Sequence, residues 1–265
     1  GSCVGIGTCG DAHVRLPAVS VAGHDMDVVV PITIDPTDGV IGMDIALTYD
    51  PSVLTPTGVY KTGYTNFTTV FSNLTVPGEI SFALFENPPD ALSGSGQVAW
   101  IVFHAVGAAG TTSPLTFTLH DLNEGNIPSV VHNGIVNVVA RDVAFAMSDL
   151  ASGAPGWTVD VPISVNPTGT VGTISTTVRF NPYVVQATAV NVTAPTASWT
   201  LTSDLTTPGT AILSMSGPAL SGGAQDVATI TFDVTGSNGD QTPLDIVTGA
   251  TNPGLTVNLD DGLFT

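Results

Sequence analysis

The chain has 265 residues, of which 43% are hydrophobic and only 10% are charged, and its formal net charge is −18. Four Lys and Arg residues stand against 22 Asp and Glu residues, so the surface repels nucleic acid and anionic lipid. No apolar run approaches the roughly 18 residues of a spanning helix. We therefore expect a folded chain that neither binds nucleic acid nor inserts into a membrane.

Both cysteines, Cys3 and Cys9, lie in the Gly-rich segment at the start of the chain. Their spacing allows a small disulfide loop to close, and a disulfide indicates an oxidising compartment. Two free thiols are the alternative, because a metal site would lack further ligands. The segment has no charged region followed by an apolar stretch, so we expect a mature chain. We assign residues 1–12 to this disulfide-loop segment.

Alternation of apolar and polar residues recurs along the chain, and no window shows helical spacing. Strands are predicted at residues 28–34, 41–49, 79–85, 98–106, 115–119 and 135–139. Turn signals such as Asp50-Pro51 and Asn133-Gly134 separate them. Short strands at this spacing predict an all-β sandwich or barrel.

The second half of the chain repeats the first. Residues 29–37 return at 160–168 and residues 47–51 return at 178–182, both with an offset of 131. The offset falls to 129 for residues 103–107, which return at 232–236. Loop deletions produce such a shrinking offset, so the chain contains two copies of one fold. We predict one sandwich over residues 13–140 and a second over residues 141–265.

The order of these elements resembles the cohesin domain. The resemblance is carried by the Val-x-Val-Pro-Ile-x-Ile strand at residues 28–34, by Tyr49-Asp50-Pro51 before Val53-Leu54, and by Ser93-Gly94-Ser95-Gly96 before an apolar strand. It implies two tandem jelly-roll (cohesin-like) β-sandwich domains behind the N-terminal disulfide loop. It also implies binding of a protein partner through a sheet face, in the best-known members a dockerin module. The chain lacks a dockerin-type calcium loop, so in such a pair it would be the cohesin that binds the dockerin.

Motifs of enzyme chemistry are missing from the sequence. There is no Gly-x-Ser-x-Gly, His-Glu-x-x-His or phosphate-binding loop, and only three glutamates occur, at Glu79, Glu86 and Glu124. We expect no catalytic residues and no cofactor. The histidine at His24 precedes Asp25 and Asp27, but consecutive strand residues point to opposite faces, so a polar turn is favoured over a metal site.

Acidic turns are candidate calcium sites, because carboxylate and amide oxygens are the ligands of Ca²⁺. The candidates are Asp35, Asp38, Asp121 and Asn126. Ordinary turn capping is the alternative interpretation. We otherwise predict no metal site.

Three sequons fit the N-glycosylation pattern, with acceptors at Asn66, Asn73 and Asn191. Chance alone produces such triplets in a Thr-rich chain. Glycosylation at these positions is therefore a hypothesis that depends on the host.

A non-catalytic scaffold or surface structural protein is the leading functional interpretation, located outside the cell or at its surface. Such a protein binds other modules, or copies of itself, through sandwich faces and strand edges. In the self-assembly version, Val14, Leu16, Val19 and Val21 donate a strand to a neighbour and build an oligomer or filament. The alternative is that this segment is the first strand of its own sandwich.

A carbohydrate-binding module is the second functional interpretation, with a polysaccharide as partner. Tyr60, Tyr64 and Phe67 crowd one stretch, and Trp199 lies in the matching region of the second copy. Aromatic faces stack on sugar rings. Packing in the core is the alternative role for these side chains.

Overall fold

The computed structural model describes residues 11–85, 91–140, 142–251, 255 and 257–265. The predicted cysteine loop lies outside these residues. In the described part the chain is built from β-strands, with a single 3-10 turn at Ala194–Thr196 as its only helix. None of the described helical structure is long and apolar enough to cross a membrane.

The first half of the chain forms eleven named strands. They are β1 (Ala12–Arg15), β2 (Ser20–Gly23), β3 (Met26–Asp35), β4 (Gly42–Thr48), β5 (Leu54–Tyr60), β6 (Thr69–Asn73), β7 (Glu79–Phe85), β8 (Gly96–Ala105), β9 (Thr112–Leu122), β10 (Ser129–His132) and β11 (Gly134–Val139). They form a five-stranded sheet in the order β10-β1-β3-β8-β5 and a six-stranded sheet in the order β2-β11-β9-β4-β7-β6.

The second half repeats this arrangement in ten strands. They are β12 (Val143–Met147), β13 (Thr158–Pro167), β14 (Thr170–Arg179), β15 (Val185–Val192), β16 (Thr200–Asp204), β17 (Thr210–Ser221), β18 (Gln225–Val234), β19 (Thr242–Ala250), β20 (Val257–Asp260) and β21 (Gly262–Phe264). Their two sheets run β15-β18-β13-β12-β20 and β16-β17-β14-β19-β21.

The two sandwiches share the details that a duplicated fold predicts. Each closes one sheet with a parallel pair, β1 with β10 in the first and β12 with β20 in the second. The turn glycines Gly78 and Gly209 both adopt positive φ, at 85° and 77°. Their carbonyls accept hydrogen bonds from Tyr49 and Phe180, each at 3.0 Å. The prediction of two tandem all-β sandwiches is confirmed.

The cores of the two sandwiches are built from the alternating inward side chains of both sheets. In the first core the ring of Tyr49 packs edge-on against Phe103 at 5.6 Å, and in the second Phe180 packs against Phe232 at 5.1 Å. The offsets 131 and 129 make these equivalent pairs. Burial of such large apolar side chains, each contributing roughly 1.5–3 kcal/mol, provides most of the stability.

The six strands predicted from sequence all form, and β7 has the predicted bounds. Contacts group the described residues into two compact units. The first holds the chain up to Ser20 with Val30–Gly107 and Thr111–Asn137, and the second holds Val21–Val29, Ala108–Gly110 and Val138–Thr265. The division between residues 140 and 141 stays a prediction.

Candidate functional site

The outer side of β9, β4, β7 and β6 carries exposed aromatic and acidic side chains of the first sandwich. Alternation in these strands turns Ile45, Ile80 and Leu84 into the core and the intervening residues to solvent. We call this surface, built around Phe71, Phe85, Asp44 and Asp121, the outer face.

One register row crosses the outer face from edge to centre. Phe71 of β6 lies opposite Ala83 of β7, Ala83 lies opposite Asp44 of β4, and Asp44 lies opposite Asp121 of β9. Phe71 is 61% exposed even though a phenyl ring gains most from burial. An apolar side chain held open on a rigid sheet is typical of an interaction surface.

A second aromatic ring extends this apolar area. Phe85 stacks on Phe71 with ring centroids 5.7 Å apart and an interplanar angle of 11°. Leu119 of β9 and Ile41, just before β4, add exposed apolar surface at 38% and 42%. Phe85 falls on the polar side of its own strand, with Glu79, Ser81 and Ala83, so alternation alone could have placed it outside.

A groove of about 640 Å³ lies beside this apolar area. The groove is lined by the start of β4 and the end of β7. The turn after β9 lines it with Asn123, Glu124 and Asn126. The amide oxygen of Asn123 accepts hydrogen bonds from Ile41 N at 2.8 Å and Gly42 N at 3.2 Å. Its amide nitrogen donates to Gly39 O at 2.8 Å, so the turn is fixed to β4.

The outer face carries negative charge on β4, on β9 and in the turn after β9. Asp44 and Asp121 are directly opposite each other on neighbouring strands, and like charges in such pairs are unfavourable by themselves. Glu124 adds a third carboxylate at the rim of the groove. The arrangement therefore combines exposed phenyl rings with carboxylates, which suits an apolar side chain flanked by Lys or Arg.

Comparison with known proteins decides the family. A family model for the cohesin domain matches residues 13–138 and again residues 148–260. The chain belongs to the cohesin family. Cohesin domains are non-catalytic modules of protein–protein interaction. No curated protein sequence matches the chain.

Several solved cohesins are among the structures similar to this chain. The type II cohesin dyad of the adaptor ScaA scaffoldin of Acetivibrio cellulolyticus is 14% identical, with coverage of 95% of this chain and 98% of that one and a TM-score of 0.40. The seventh ScaB type I cohesin of Pseudobacteroides cellulosolvens is 22% identical over 49% of this chain and 93% of its own, with a TM-score of 0.42. The cohesin of the Coh-OlpA-Doc918 complex of Clostridium thermocellum is 16% identical, with coverage of 49% of this chain and 100% of that one and a TM-score of 0.43.

Of the calcium candidates of this cohesin chain, Asp38 and Asn126 lie in turns, whereas Asp35 ends β3 and Asp121 lies in β9. Asp38 accepts a hydrogen bond from Gly94 N at 2.7 Å, and Asp35 accepts one from the Ser95 hydroxyl. Asn126 donates to Asn123 O at 2.6 Å. Across the described ranges, no three or more His, Cys, Asp or Glu side chains converge as a metal-binding group. The contacts of Asp35, Asp38 and Asn126 are those of turn capping.

The predicted strand donor divides into a buried and an exposed part. Val14 and Leu16 are buried, and β1 pairs antiparallel with β3 and parallel with β10 of its own sandwich. Val19 and Val21 are about half exposed. Among the sequons, Asn73 and Asn191 are exposed and Asn66 is half-buried, and the carboxamide oxygen of Asn73 accepts hydrogen bonds from Thr75.

The predicted aromatic platform does not form as one row. Trp199 is buried, and the hydroxyl of Tyr64 donates to Ser93 O at 2.8 Å, whereas Phe67 is exposed. The strongly exposed aromatic residues of the second sandwich are instead Trp157 at 66% and Tyr183 at 59%. Sequence reasoning missed both, because neither stands in a strand pattern.

A buried carboxylate pair distinguishes the second sandwich. Burial raises the pKa of Asp245 to about 6, against the opposing charge of Arg179, whose Nε lies 3.8 Å from Asp245 Oδ2. Burial also raises the pKa of Asp261 well above its ordinary value, and the charge of Asp245 adds to this. Asp261 accepts a hydrogen bond from Ile246 N at 2.6 Å. Both side chains are buried and held by polar contacts, which suits a structural role.

Proposed function

We propose that this protein is a non-catalytic extracellular scaffold or cell-surface structural protein whose first sandwich binds a protein module through the outer face. The stacked, exposed pair Phe71 and Phe85 beside the carboxylates of Asp44 and Asp121 is the observation that carries the proposal. Aromatic side chains in well-packed patches supply most of the energy of protein interfaces.

The partner that fits the outer face is a dockerin-like module. In the Clostridium thermocellum complex, a dockerin is bound to the cohesin. We propose a partner of the same kind for this chain. A matching partner offers an apolar side chain for the Phe71 and Phe85 rings and a Lys or Arg for Asp44 and Asp121. The carboxylates give specificity and faster association more than raw affinity.

Self-association is the second form of the same proposal. The strands β6 and β10 lie at sheet edges in the first sandwich, and sheet edges accept an added strand. The segment from Val14 to Val21 is the proposed donor in an oligomer or filament. Its pairing with β3 and β10 means that donation requires β1 to leave its own sheet.

Binding to purified dockerin modules from the same organism tests the proposal, measured by calorimetry on the full chain. Phe71→Ala with Phe85→Ala should weaken binding by about 2–4 kcal/mol, or roughly 30- to 1,000-fold, because these rings are the expected hot spot. The matched control, Thr202→Ala with Ser216→Ala, changes the equivalent strands of the second sandwich and should leave affinity unchanged. A chain that binds no dockerin and sediments as a monomer at all concentrations would contradict the proposal.

Carbohydrate binding is a second candidate, supported by Trp157 and Tyr183. Val234 N donates to Trp157 O at 2.8 Å and Thr235 N donates to Val184 O at 3.0 Å, so the two aromatic residues flank the end of β18 from either side. The flanking strands β13 and β15 are two strand spacings apart, about 10 Å, close to the length of a disaccharide unit. Retention on insoluble polysaccharides that Trp157→Ala abolishes would support this function, and equal retention of both chains would exclude this site.

A further inference from the structure

Two histidines that are far apart in sequence meet on the five-stranded sheet of the first sandwich. His13 lies on β1 and His132 on β10, and β1 runs parallel to β10 with Arg15 opposite His132. The Nδ1 atom of His13 is 3.0 Å from the Nε2 atom of His132. Their ring centroids are 5.2 Å apart with an interplanar angle of 42°. The two ring nitrogens thus point at each other across one strand pair.

Such a pair shares one proton between its two facing nitrogens. Two neutral imidazoles share a single N–H, because two facing lone pairs or two facing N–H groups repel. A metal ion bound by both nitrogens would take the place of this hydrogen bond, once the two rings turn so that their lone pairs converge on one point. Zinc binds imidazole nitrogen at about 2.0–2.1 Å in tetrahedral geometry, which separates two ligand nitrogens by about 3.3 Å. The observed separation of 3.0 Å differs from that value by a few tenths of an ångström.

We propose that His13 and His132 form a surface site for a divalent transition-metal ion, which connects β1 to β10. Both side chains are partly exposed, so water can fill the remaining coordination positions. The site takes borderline metals that prefer imidazole, namely Cu²⁺, Ni²⁺ and Zn²⁺, and not Ca²⁺ or Mg²⁺.

Charges near the two histidines both oppose and favour the binding of a cation. The pKa of His132 is lowered by its partial burial, by the charge of Arg15 and by His13. Arg15 also repels a cation, whereas Asp35 lies opposite His13 on β3 and the formal net charge of the chain is −18. The long-range field therefore favours a cation at this sheet.

Metal binding at this place would act on the first strand of the sandwich. β1 has only four residues, and β10 is an edge strand of the same length. A metal ion held by one residue of each strand stabilises only the state in which both are paired. The site would therefore hold β1 in its own sheet and oppose its donation to a neighbouring molecule.

Metal titration of the full chain tests the proposal, in a Cys3→Ser, Cys9→Ser background without an affinity tag so that thiols and added histidines do not contribute. Calorimetry with Zn²⁺, Ni²⁺ and Cu²⁺ should show one ion per chain, bound tightest for Cu²⁺, in the presence of excess Ca²⁺ to fill nonspecific acidic sites. Either His13→Gln or His132→Gln should weaken binding at least about tenfold. The control His24→Gln removes an exposed histidine of the same sandwich and should change nothing.

The thermal midpoint provides a second readout that separates binding from folding. Zn²⁺ should raise the midpoint of the parent chain and of His24→Gln, and should leave His13→Gln and His132→Gln unchanged. Imidazole NMR resonances of His13 and His132 should shift together at one equivalent. Binding that persists in the double variant His13→Gln, His132→Gln, or that is lost equally in His24→Gln, would overturn the proposal.

Discussion

The two sandwiches have equivalent cores but different outer faces. The aromatic pairs Tyr49 with Phe103 and Phe180 with Phe232 occupy matching positions in the two cores. On the surface the matching row differs at every position. Phe71, Ala83, Asp44 and Asp121 in the first sandwich correspond to Thr202, Ser214, Ser175 and Ala250 in the second, in the same strand register.

This difference shows where the two copies diverged in surface chemistry. A fold needs its inward residues to stay apolar, and both copies kept them. The outer face of the first copy has two phenyl rings and two carboxylates, whereas that of the second is dominated by short hydroxyl side chains. Of the two faces, the first has the exposed phenyl rings, a residue type that is enriched at protein interfaces.

Core truncations should have the largest effects and should be alike in both copies. Phe103→Ala and Phe232→Ala each remove a fully buried ring, and each should lower the free energy of unfolding by about 3–5 kcal/mol. Urea unfolding of the two variants measures this. A loss below 1 kcal/mol in only one variant would show that the two cores are not equivalent.

A pH effect from a buried carboxylate should appear in the second sandwich. Since the folded-state pKa of Asp245 is about 6 and its ordinary value is 3.8, the folded protein binds the extra proton between these values, and stability falls as pH rises from about 4 to about 6. Asp245→Asn should remove a pH dependence on the order of 1–3 kcal/mol.

The matching site in the first sandwich serves as the control for this effect. Thr48 and Thr116 stand opposite each other there, where Arg179 and Asp245 stand in the second. Thr116→Asn should leave the pH dependence unchanged. Urea unfolding at pH 4, 5, 6 and 7 distinguishes the cases, and identical curves for the parent chain and Asp245→Asn would contradict the assignment.

Removing one charge of the acidic pair should have the smallest effect on stability. Asp44→Asn relieves the repulsion from Asp121 and should stabilise the free protein by about 0.2–1 kcal/mol. The same variant should slow association with a basic partner and reduce its salt dependence. Ser175→Asn, at the matching position of the second sandwich, provides the control for both measurements.

The sequence was sufficient to predict the repeated sandwich, because alternation and turn residues are local signals and the repeat, at offsets of 131 to 129, is visible in the sequence itself. It predicted β7 correctly, since residues 79–85 alternate regularly. The strand β5 was missed because Pro56 and Gly58 flank a register shift, and β6 was missed because its side chains are mostly exposed and show no alternation.

The candidate sites could not be predicted from the sequence, because they are formed by contacts between residues far apart along the chain. The outer face takes one or two residues from each of four strands, and only the register brings Phe71 next to Phe85 and Asp44 next to Asp121. The paired histidines are separated by 119 positions. For the same reason Trp199, an aromatic candidate for sugar binding, is buried beside Gly217 in the core of the second sandwich.

Exchange of residues between the two outer faces tests the central claim most directly. Phe71→Thr with Phe85→Ser gives the first face the residues of the second, and Thr202→Phe with Ser216→Phe makes the reverse change. Calorimetry against a dockerin module that binds the parent chain should show binding lost in the first variant and unchanged in the second. Binding that survives Phe71→Thr with Phe85→Ser, in a chain with unchanged unfolding, would contradict the assignment of the outer face as the binding site.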